Sequence, residues 1–401
     1  MNDTDSKTQH LLDKAKNSIL YTADRPALVM ERGNGMKIWD TEGNTYLDFI
    51  GGWAVNCLGH APTVIKDALM NQAAALMNAS PAYYNKPMIE LAAKLTEISC
   101  FDRVFFASSG AEANEGAVKL ARKYGSIHLG GAYEIITMTG GFHGRTLAMM
   151  SATGKKQWES LFEPKAAGFK HVPLNDFEAC RAAVTRNTCA IMLEPIQGEG
   201  GVHSADEEYL RQLRQLCDEL GILLIFDEIQ TGIGRTGKLF AYEHYGIEPD
   251  IMTLGKGIGG GFPLSAMLTK ERFNLFEAGE QGGTYNGQPL AMAVGLAVVN
   301  EVLDKQLPQN AQVQGNYIQV RLQEIAGRYQ LKQIRGKGLL LAVDLSEPCG
   351  VRLVAECREE GLLINAPSPF TIRIIPPLIV SRSDIDRMFA ILTRVMDRMG
   401  L

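Results

Sequence analysis

No C-x-x-C pair occurs in the 401 residues, although seven cysteines lie scattered at positions 57, 100, 180, 189, 217, 349 and 357. That spacing argues against a disulfide scaffold or a cysteine zinc site and predicts free, mostly buried thiols in a reducing compartment. H-E-x-x-H is absent, and His60, His143, His171 and His203 show no ligand-like spacing, so no metal is assigned. No stretch is apolar for long enough to span a bilayer. There is no run of Lys and Arg, and the formal charge of -5 disfavours a nucleic-acid partner. The start, Met1-Asn-Asp-Thr-Asp-Ser6, is polar and acidic, unlike a signal peptide or a basic transit peptide. Neither an internal repeat nor a low-complexity linker is visible. These absences together point to a cytoplasmic protein.

What is present is ordinary for a globular enzyme: 46% hydrophobic and 21% charged residues. At this length one large domain with one or two smaller ones is expected. A helix is predicted over Gln9 to Ser18. Met36–Asp40 and Thr45–Phe49 read as hairpin strands, followed by a helix from Pro62 to about Met77 and another over Pro87–Ser99. From Arg103 onward, strand, loop and helix recur: strands at 104–106, 134–138, 190–193, 222–226 and 251–254, and helices at 112–124 and 206–220. That rhythm predicts a mostly parallel sheet covered on both faces. After Ala266–Leu268 the pattern becomes helical (290–303 and 313–329). From Lys332 it alternates strands (339–342, 371–375) with helices (351–360, 383–398), as a separate α+β lobe. The expected division is residues 1–60 as an N-terminal segment of the small domain, 61–300 as the large domain and 301–401 as the C-terminal small domain.

The centre of this pattern is Ile222-Leu-Leu-Ile-Phe-Asp-Glu-Ile229 through Leu254-Gly-Lys-Gly257. Asp227 and Lys256 fall at the carboxyl ends of buried strands, where open α/β sheets bind ligands. One carboxylate and one lysine there suit a cofactor with a protonated ring nitrogen and a carbonyl carbon, such as pyridoxal 5′-phosphate. A strand ending in Asp-Glu also suits a Mg²⁺ or nucleotide site. Ser108-Ser-Gly-Ala-Glu-Ala113 sits where a strand meets a helix N-terminus and forms either an anion cradle or a plain cap, Ser109 with Glu112, or both. Gly140-Gly-Phe-His-Gly-Arg-Thr146 either offers Phe142 to stack on a planar ring and Arg145 to hold a carboxylate, or is a loop in which Phe142 plugs the core and Arg145 faces water. Glu194-Pro-Ile-Gln-Gly-Glu-Gly200 carries two acids after another buried strand. Arg373, inside the apolar run Phe370–Pro377, requires a partner if buried and is read as a carboxylate-binding arginine.

Taken together, Ser109-Gly-Ala-Glu-Ala113, Gly141-Phe-His-Gly-Arg-Thr146, Glu194–Gly200, Phe226-Asp-Glu-Ile-Gln-Thr-Gly232, Leu254-Gly-Lys-Gly257 and Thr284 resemble the class-III, fold-type I pyridoxal-phosphate aminotransferases over nearly the whole chain. The resemblance implies an α/β fold in which a mostly parallel seven-stranded sheet lies between helices. A smaller α+β domain is built from the C-terminal part and the N-terminal segment. It implies pyridoxal 5′-phosphate as cofactor, Lys256 as the Schiff-base lysine and Asp227 on the pyridine nitrogen. Gln230 reaches the ring's 3′-oxygen, Phe142 stacks on the ring beside His143, and Ser109, Gly110 and Ala111 hold the phosphate. Thr284 joins them from the neighbouring subunit of a homodimer. Arg373 takes a substrate carboxylate, Glu199 pairs with it when that carboxylate is missing, and Arg145 anchors the other end. Compact length and His143 are most similar to the acetylornithine branch of the family, with 2-oxoglutarate as acceptor.

Some stretches depart from that pattern. Tyr285, Asn286 and Gln288 stand in the phosphate loop 280–289, Tyr83 and Tyr84 in the entrance segment 79–84, and Trp53 adds bulk nearby. Ornithine, 4-aminobutyrate, a diamine or another ω-amino acid therefore remain alternative donors. A racemase or aminomutase of the same fold, or a non-catalytic binding protein, are further readings, the last opposed by the presence of both Lys256 and Asp227.

Overall fold

The computed structural model describes residues 7–401, so the polar segment at 1–6 lies outside the described residues. Leu223–Asp227 is the middle strand of a seven-stranded sheet and is buried along its whole length. Its side chains alternate between two layers: Leu223 and Ile225 join one apolar cluster, Leu224 and Phe226 the other. Both faces are therefore covered, which is why the run is apolar without interruption. In spatial order the strands are Arg103–Ala107, Ser265–Thr269, Ile251–Leu254, Leu223–Asp227, Thr188–Leu193, Glu134–Met138 and Phe169–Val172. All run parallel except Ser265–Thr269, which is antiparallel to both its neighbours. The carboxyl ends of the parallel strands consequently gather along one edge.

One covering layer is the helix Glu207–Leu220, with Tyr209, Leu210, Leu213, Leu216 and Cys217 buried at helical spacing. Each buried leucine contributes about 2 kcal/mol by the apolar surface it removes from water. The helix stops where Gly221 takes a left-handed conformation (φ 66°), which only glycine adopts without strain. The opposite layer is the helix Gly110–His128, which turns small residues (Ala113, Gly116, Ala117, Ala121) to the sheet and so lies close against it. It begins two residues earlier than the pattern predicts because Ser109 and Glu112 form a reciprocal capping box.

The N-terminal hairpin is Lys37–Asp40 with Thr45–Asp48, extended by Met30–Asn34 on one side. On the other side, Leu362–Leu363 adds in parallel to Leu47 and Asp48, tying the two ends of the chain into one sheet. The C-terminal lobe carries an antiparallel sheet in the order Ile334–Lys337, Leu340–Asp344, Thr371–Ile374, Asn365–Ser368. Against it pack the helices Leu307–Ala326 and Gly350–Glu359, and Arg382–Met399 packs on those two helices and on Leu362–Leu363. The helix expected over 313–329 thus starts earlier, with Pro308 in its first turn, where proline is favourable. All seven cysteines are free. No helix of the described residues is long and apolar enough to cross a membrane.

Candidate active site

Five parallel strands end at the same edge, and each delivers one motif. Arg103–Ala107 leads to Ser109, Glu134–Met138 to the 140–145 loop, and Thr188–Leu193 to Glu194. Leu223–Asp227 ends on Asp227, and Ile251–Leu254 leads to Lys256. Segments distant in sequence thereby converge because the sheet is parallel.

Asp227 is fixed from behind. Its Oδ2 accepts from Asn114 Nδ2 and from His143 Nδ1, both at 2.8 Å. Among the described residues its Oδ1 accepts only from the Ile229 N–H at 3.1 Å, which leaves acceptor capacity on that oxygen. Asn114 is locked in turn: its Nδ2 also reaches the His143 carbonyl at 2.8 Å, and its Oδ1 accepts from Thr253 at 2.7 Å. Burial alone would lower the His143 pKa, but the hydrogen bond and charge of Asp227, with Glu194 beyond, hold it above the ordinary value. The imidazolium and the carboxylate therefore stabilise one another. His143 is fully buried and acts on whatever Asp227 holds through that carboxylate.

Lys256 enters with a left-handed backbone (φ 46°), a strained conformation for a lysine. Burial lowers its pKa, while Glu199, Glu194 and Asp227 pull the other way and Arg373 lowers it again. An amine so placed loses its proton more readily than an ordinary lysine. Because Glu199 is the largest of the charges holding it up, Glu199→Gln should move the Lys256 titration to still lower pH. The pH dependence of aldehyde capture by the apoenzyme reads this directly, and an unmoved midpoint would contradict it.

Arg373 is fully buried and donates from Nη1 to Glu199 Oε1 and to the Gly198 carbonyl, both at 2.8 Å, and from Nε to Asn365 at 3.0 Å. Burial would raise the Glu199 pKa, but Arg373 and Lys256 hold it below the usual range. Glu194 lies deeper, bridging two loops: it accepts from the Phe142 N–H at 2.9 Å and the Gly198 N–H at 3.2 Å. Burial and the nearby charge of Asp227 push it up to about 7. Glu228 is also raised to about 7 by burial, but it serves the frame, accepting from the N–H groups of Ala241 and Tyr242 and from Thr231.

Phe142 stands at the opening with its ring 5.8 Å from that of Trp158, at 62°. Arg145 lies 5.1 Å from the Trp158 ring and 5.9 Å from that of Phe142. Lys155 lies 4.9 Å from Phe142 and 5.4 Å from Trp158. Trp53 is exposed on a turn in which Gly51, Gly52, Trp53 and Ala54 are all left-handed. That turn rests on Ile375 and Pro377, just beyond Arg373. Other predicted residues lie apart. Tyr83 is 70% exposed, and Tyr84 lines an open groove with the 281–287 loop and the helix Lys86–Glu97. Thr284 is exposed on that same loop, which is held by Asn85 and Lys119. No contact joins Tyr83 or Thr284 to Asp227 or Lys256 among the described residues.

The family profile described as Aminotransferase class-III matches residues 20–396. The chain is 50% identical over 375 residues to acetylornithine aminotransferase 2 of Bordetella pertussis, covering 93% of this chain and 95% of that one. The chain belongs to the class-III aminotransferases. Solved members of similar shape include the ornithine aminotransferase of Toxoplasma gondii (TM-score 0.94, 30% identity, 98% and 96% of the two chains covered). Another is the acetylornithine aminotransferase of Elizabethkingia anophelis (TM-score 0.86, 32% identity, 98% and 99% covered).

Class-III aminotransferases use pyridoxal 5′-phosphate, and the site fits it. Both side-chain atoms of Gln230, Oε1 and Nε2, are buried without a partner, a costly arrangement unless a ligand completes it. A side chain at Gly198 would collide with that amide at 1.6 Å, so the glycine keeps the space open. The N–H groups of Gly110 and Ala111 open a helix and have no intrahelical acceptor, which suits a phosphate. Asp227 with its free acceptor capacity suits a protonated ring nitrogen.

Sequence reasoning passed over Asn114, Lys155 and Trp158. Asn114 lies in a helix of small residues without a charge signal, and Lys155 and Trp158 fall outside every motif singled out above. An asparagine on the sheet-facing side of a helix was the one available sign, since such an amide requires partners.

Proposed function

We propose that this class-III aminotransferase transfers the terminal amino group of N-acetylornithine to 2-oxoglutarate, giving a semialdehyde and glutamate. The observation that carries the reading is the buried Arg373–Glu199 pair beside Lys256. N-acetylornithine as donor is supported by 50% identity to acetylornithine aminotransferases at near-complete coverage.

When bound, pyridoxal 5′-phosphate supplies an electron sink for the carbon that loses its proton. Asp227 keeps a proton on the ring nitrogen, and Asn114 and His143 hold that carboxylate in place. Lys256 would anchor the cofactor and, as a free neutral amine, would take the proton from the reacting carbon, becoming the ammonium that returns it. Ser109, Gly110 and Ala111 bind the phosphate, Gln230 turns to the ring's 3′-oxygen, and Phe142 covers one face against water. Arg373 binds the α-carboxylate of glutamate or 2-oxoglutarate. Glu199 neutralises Arg373 when the reacting end of the donor carries no carboxylate, so one pocket serves two differently shaped molecules. Arg145 anchors the far end, and Trp53 flanks the entrance.

A cytoplasmic homodimer completes the proposal, with Thr284 reaching the partner's phosphate site and Tyr83 at the shared entrance. The exposure of Tyr83, Tyr84 and Tyr285, with Tyr84 lining an apolar groove beside the 281–287 loop, supports this.

The test is single-turnover conversion of the cofactor band by a panel of N-acetylornithine, ornithine, 4-aminobutyrate, putrescine and β-alanine. N-acetylornithine should convert fastest, and 2-oxoglutarate should reverse the change. No response to N-acetylornithine alongside conversion by another amine would overturn the assignment of the donor.

A further inference from the structure

Lys155 takes its place from the backbone rather than by chance. Gly154 forms a bridge with Thr139 at the end of the Glu134–Met138 strand, and its carbonyl accepts from the Gly140 N–H at 2.9 Å. A side chain at Gly154 would meet the Met138 carbonyl at 2.4 Å, so the chain passes hard against the strand end. The next residue is thereby delivered beside the 140–145 loop, although it comes from beyond a helix, Leu147–Ala152. Its ammonium lies 4.9 Å from the Phe142 ring and 5.4 Å from the Trp158 ring, half-buried. Arg145 lies against the same two rings.

Two cations thus share one aromatic frame, and neither makes a hydrogen bond or an ion pair with another described residue. The charges that act on Lys155 are Glu199 and Glu194 on one side and Arg145 and Arg373 on the other. Of the two acids, Glu199 is already committed to Arg373 and Glu194 to two backbone N–H groups. Burial lowers the Lys155 pKa, and the Arg145 charge contributes in the same direction. The rings offset part of this repulsion through their negative faces, and Arg145 is open to solvent, but an aromatic face does not satisfy the three N–H donors of the half-buried Lys155. An anion would.

We propose that Lys155 and Arg145 form a two-cation clamp, framed by Phe142 and Trp158, for a carboxylate at the end of the substrate opposite the reacting amine. This rests on the reading that Arg145 anchors the far end. Lys155 is then the specificity-determining residue that separates ω-amino donors bearing a distal carboxylate from diamines, whose second ammonium the clamp repels. Both proposed substrates meet the requirement, N-acetylornithine through its α-carboxylate and 2-oxoglutarate through the carboxylate away from the keto group. The rule is one of charge at a distance from the reacting atom, so it admits other ω-amino acids and excludes simple amines.

The experiment compares the wild-type holoenzyme with Lys155→Met, Lys155→Arg and Lys155→Glu. Lys155→Met should raise KM for N-acetylornithine and for 2-oxoglutarate about tenfold, as loss of one charged contact does, while kcat moves much less. Lys155→Arg should restore most of the affinity, and Lys155→Glu should weaken carboxylate substrates further while improving putrescine relative to them. In parallel, glutarate, a dicarboxylate without an amine or keto group, is titrated calorimetrically, and its affinity should fall in Lys155→Met and return in Lys155→Arg. This arm requires no turnover, so it decides the clamp even if N-acetylornithine proves not to be the donor. Unchanged glutarate affinity and unchanged KM in Lys155→Met would overturn the clamp. So would a fall in kcat for every amine alike, which would mean that Lys155 only props Phe142.

Discussion

Lys256→Ala is expected to lower turnover with every amino donor by about 10⁴-fold, the upper end of what a positioned acid–base group contributes. Two losses coincide in this variant. The cofactor would no longer be tethered, and among the described residues no other amine lies where the proposed proton transfer occurs. The neighbouring groups are unsuited to replace it: Glu199 is held by Arg373, Glu194 by two N–H groups, and Arg145 and Lys155 lie out at the aromatic frame. Binding of pyridoxal 5′-phosphate should survive, because Asp227, the helix N-terminus at Gly110 and the Gln230 amide are untouched. The diagnostic combination is a cofactor retained on dialysis with almost no turnover, partly restored by a small primary amine. A variant retaining a tenth of wild-type turnover would remove Lys256 from the chemistry.

The second large effect is a split between half-reactions. Arg373→Ala leaves the partly buried Glu199 without its partner and removes a fully buried cation from the site. Breaking such a pair costs about 3–5 kcal/mol, which is about 10²–10⁴-fold in kcat/KM, and it should fall mainly on 2-oxoglutarate and glutamate. Glu199→Gln should act the other way, leaving Arg373 uncompensated when the donor's reacting end carries no carboxylate and so slowing the donor half-reaction. Rapid-mixing rates for each half-reaction separate the two variants. Equal rates for both half-reactions in Glu199→Gln would show that the pair is not a switch.

Much of this architecture could be read from the chain before folding, and the reasons are physical. Strands buried on both faces leave continuous apolar runs, so Leu223–Asp227 and Ile251–Leu254 stand out, and the polar residues that end them mark the ligand edge. Arg373 stands out because an arginine in an apolar strand is conspicuous. Other features leave no local trace. Leu362–Leu363 is two residues long and becomes a strand only by pairing with Leu47 and Asp48, far away in the sequence. Phe169–Val172, at the sheet edge, is half-polar because one side of it lacks a neighbour. Asn114 acquires its role only when the Gly110–His128 helix lays it against Asp227, His143 and Thr253 at once. Lys155 acquires its own only when the Gly154 bridge turns the chain back to the 140–145 loop.

The most direct test of the central claim follows the nitrogen itself. Purified enzyme with pyridoxal 5′-phosphate is given N-acetylornithine labelled in its terminal amine, together with unlabelled 2-oxoglutarate, and the products are resolved by mass. Transamination through Lys256 and the Arg373–Glu199 pair predicts the label in glutamate, with an equal amount of semialdehyde. Label retained in the donor, or a donor inverted or isomerised without any need for 2-oxoglutarate, would contradict it.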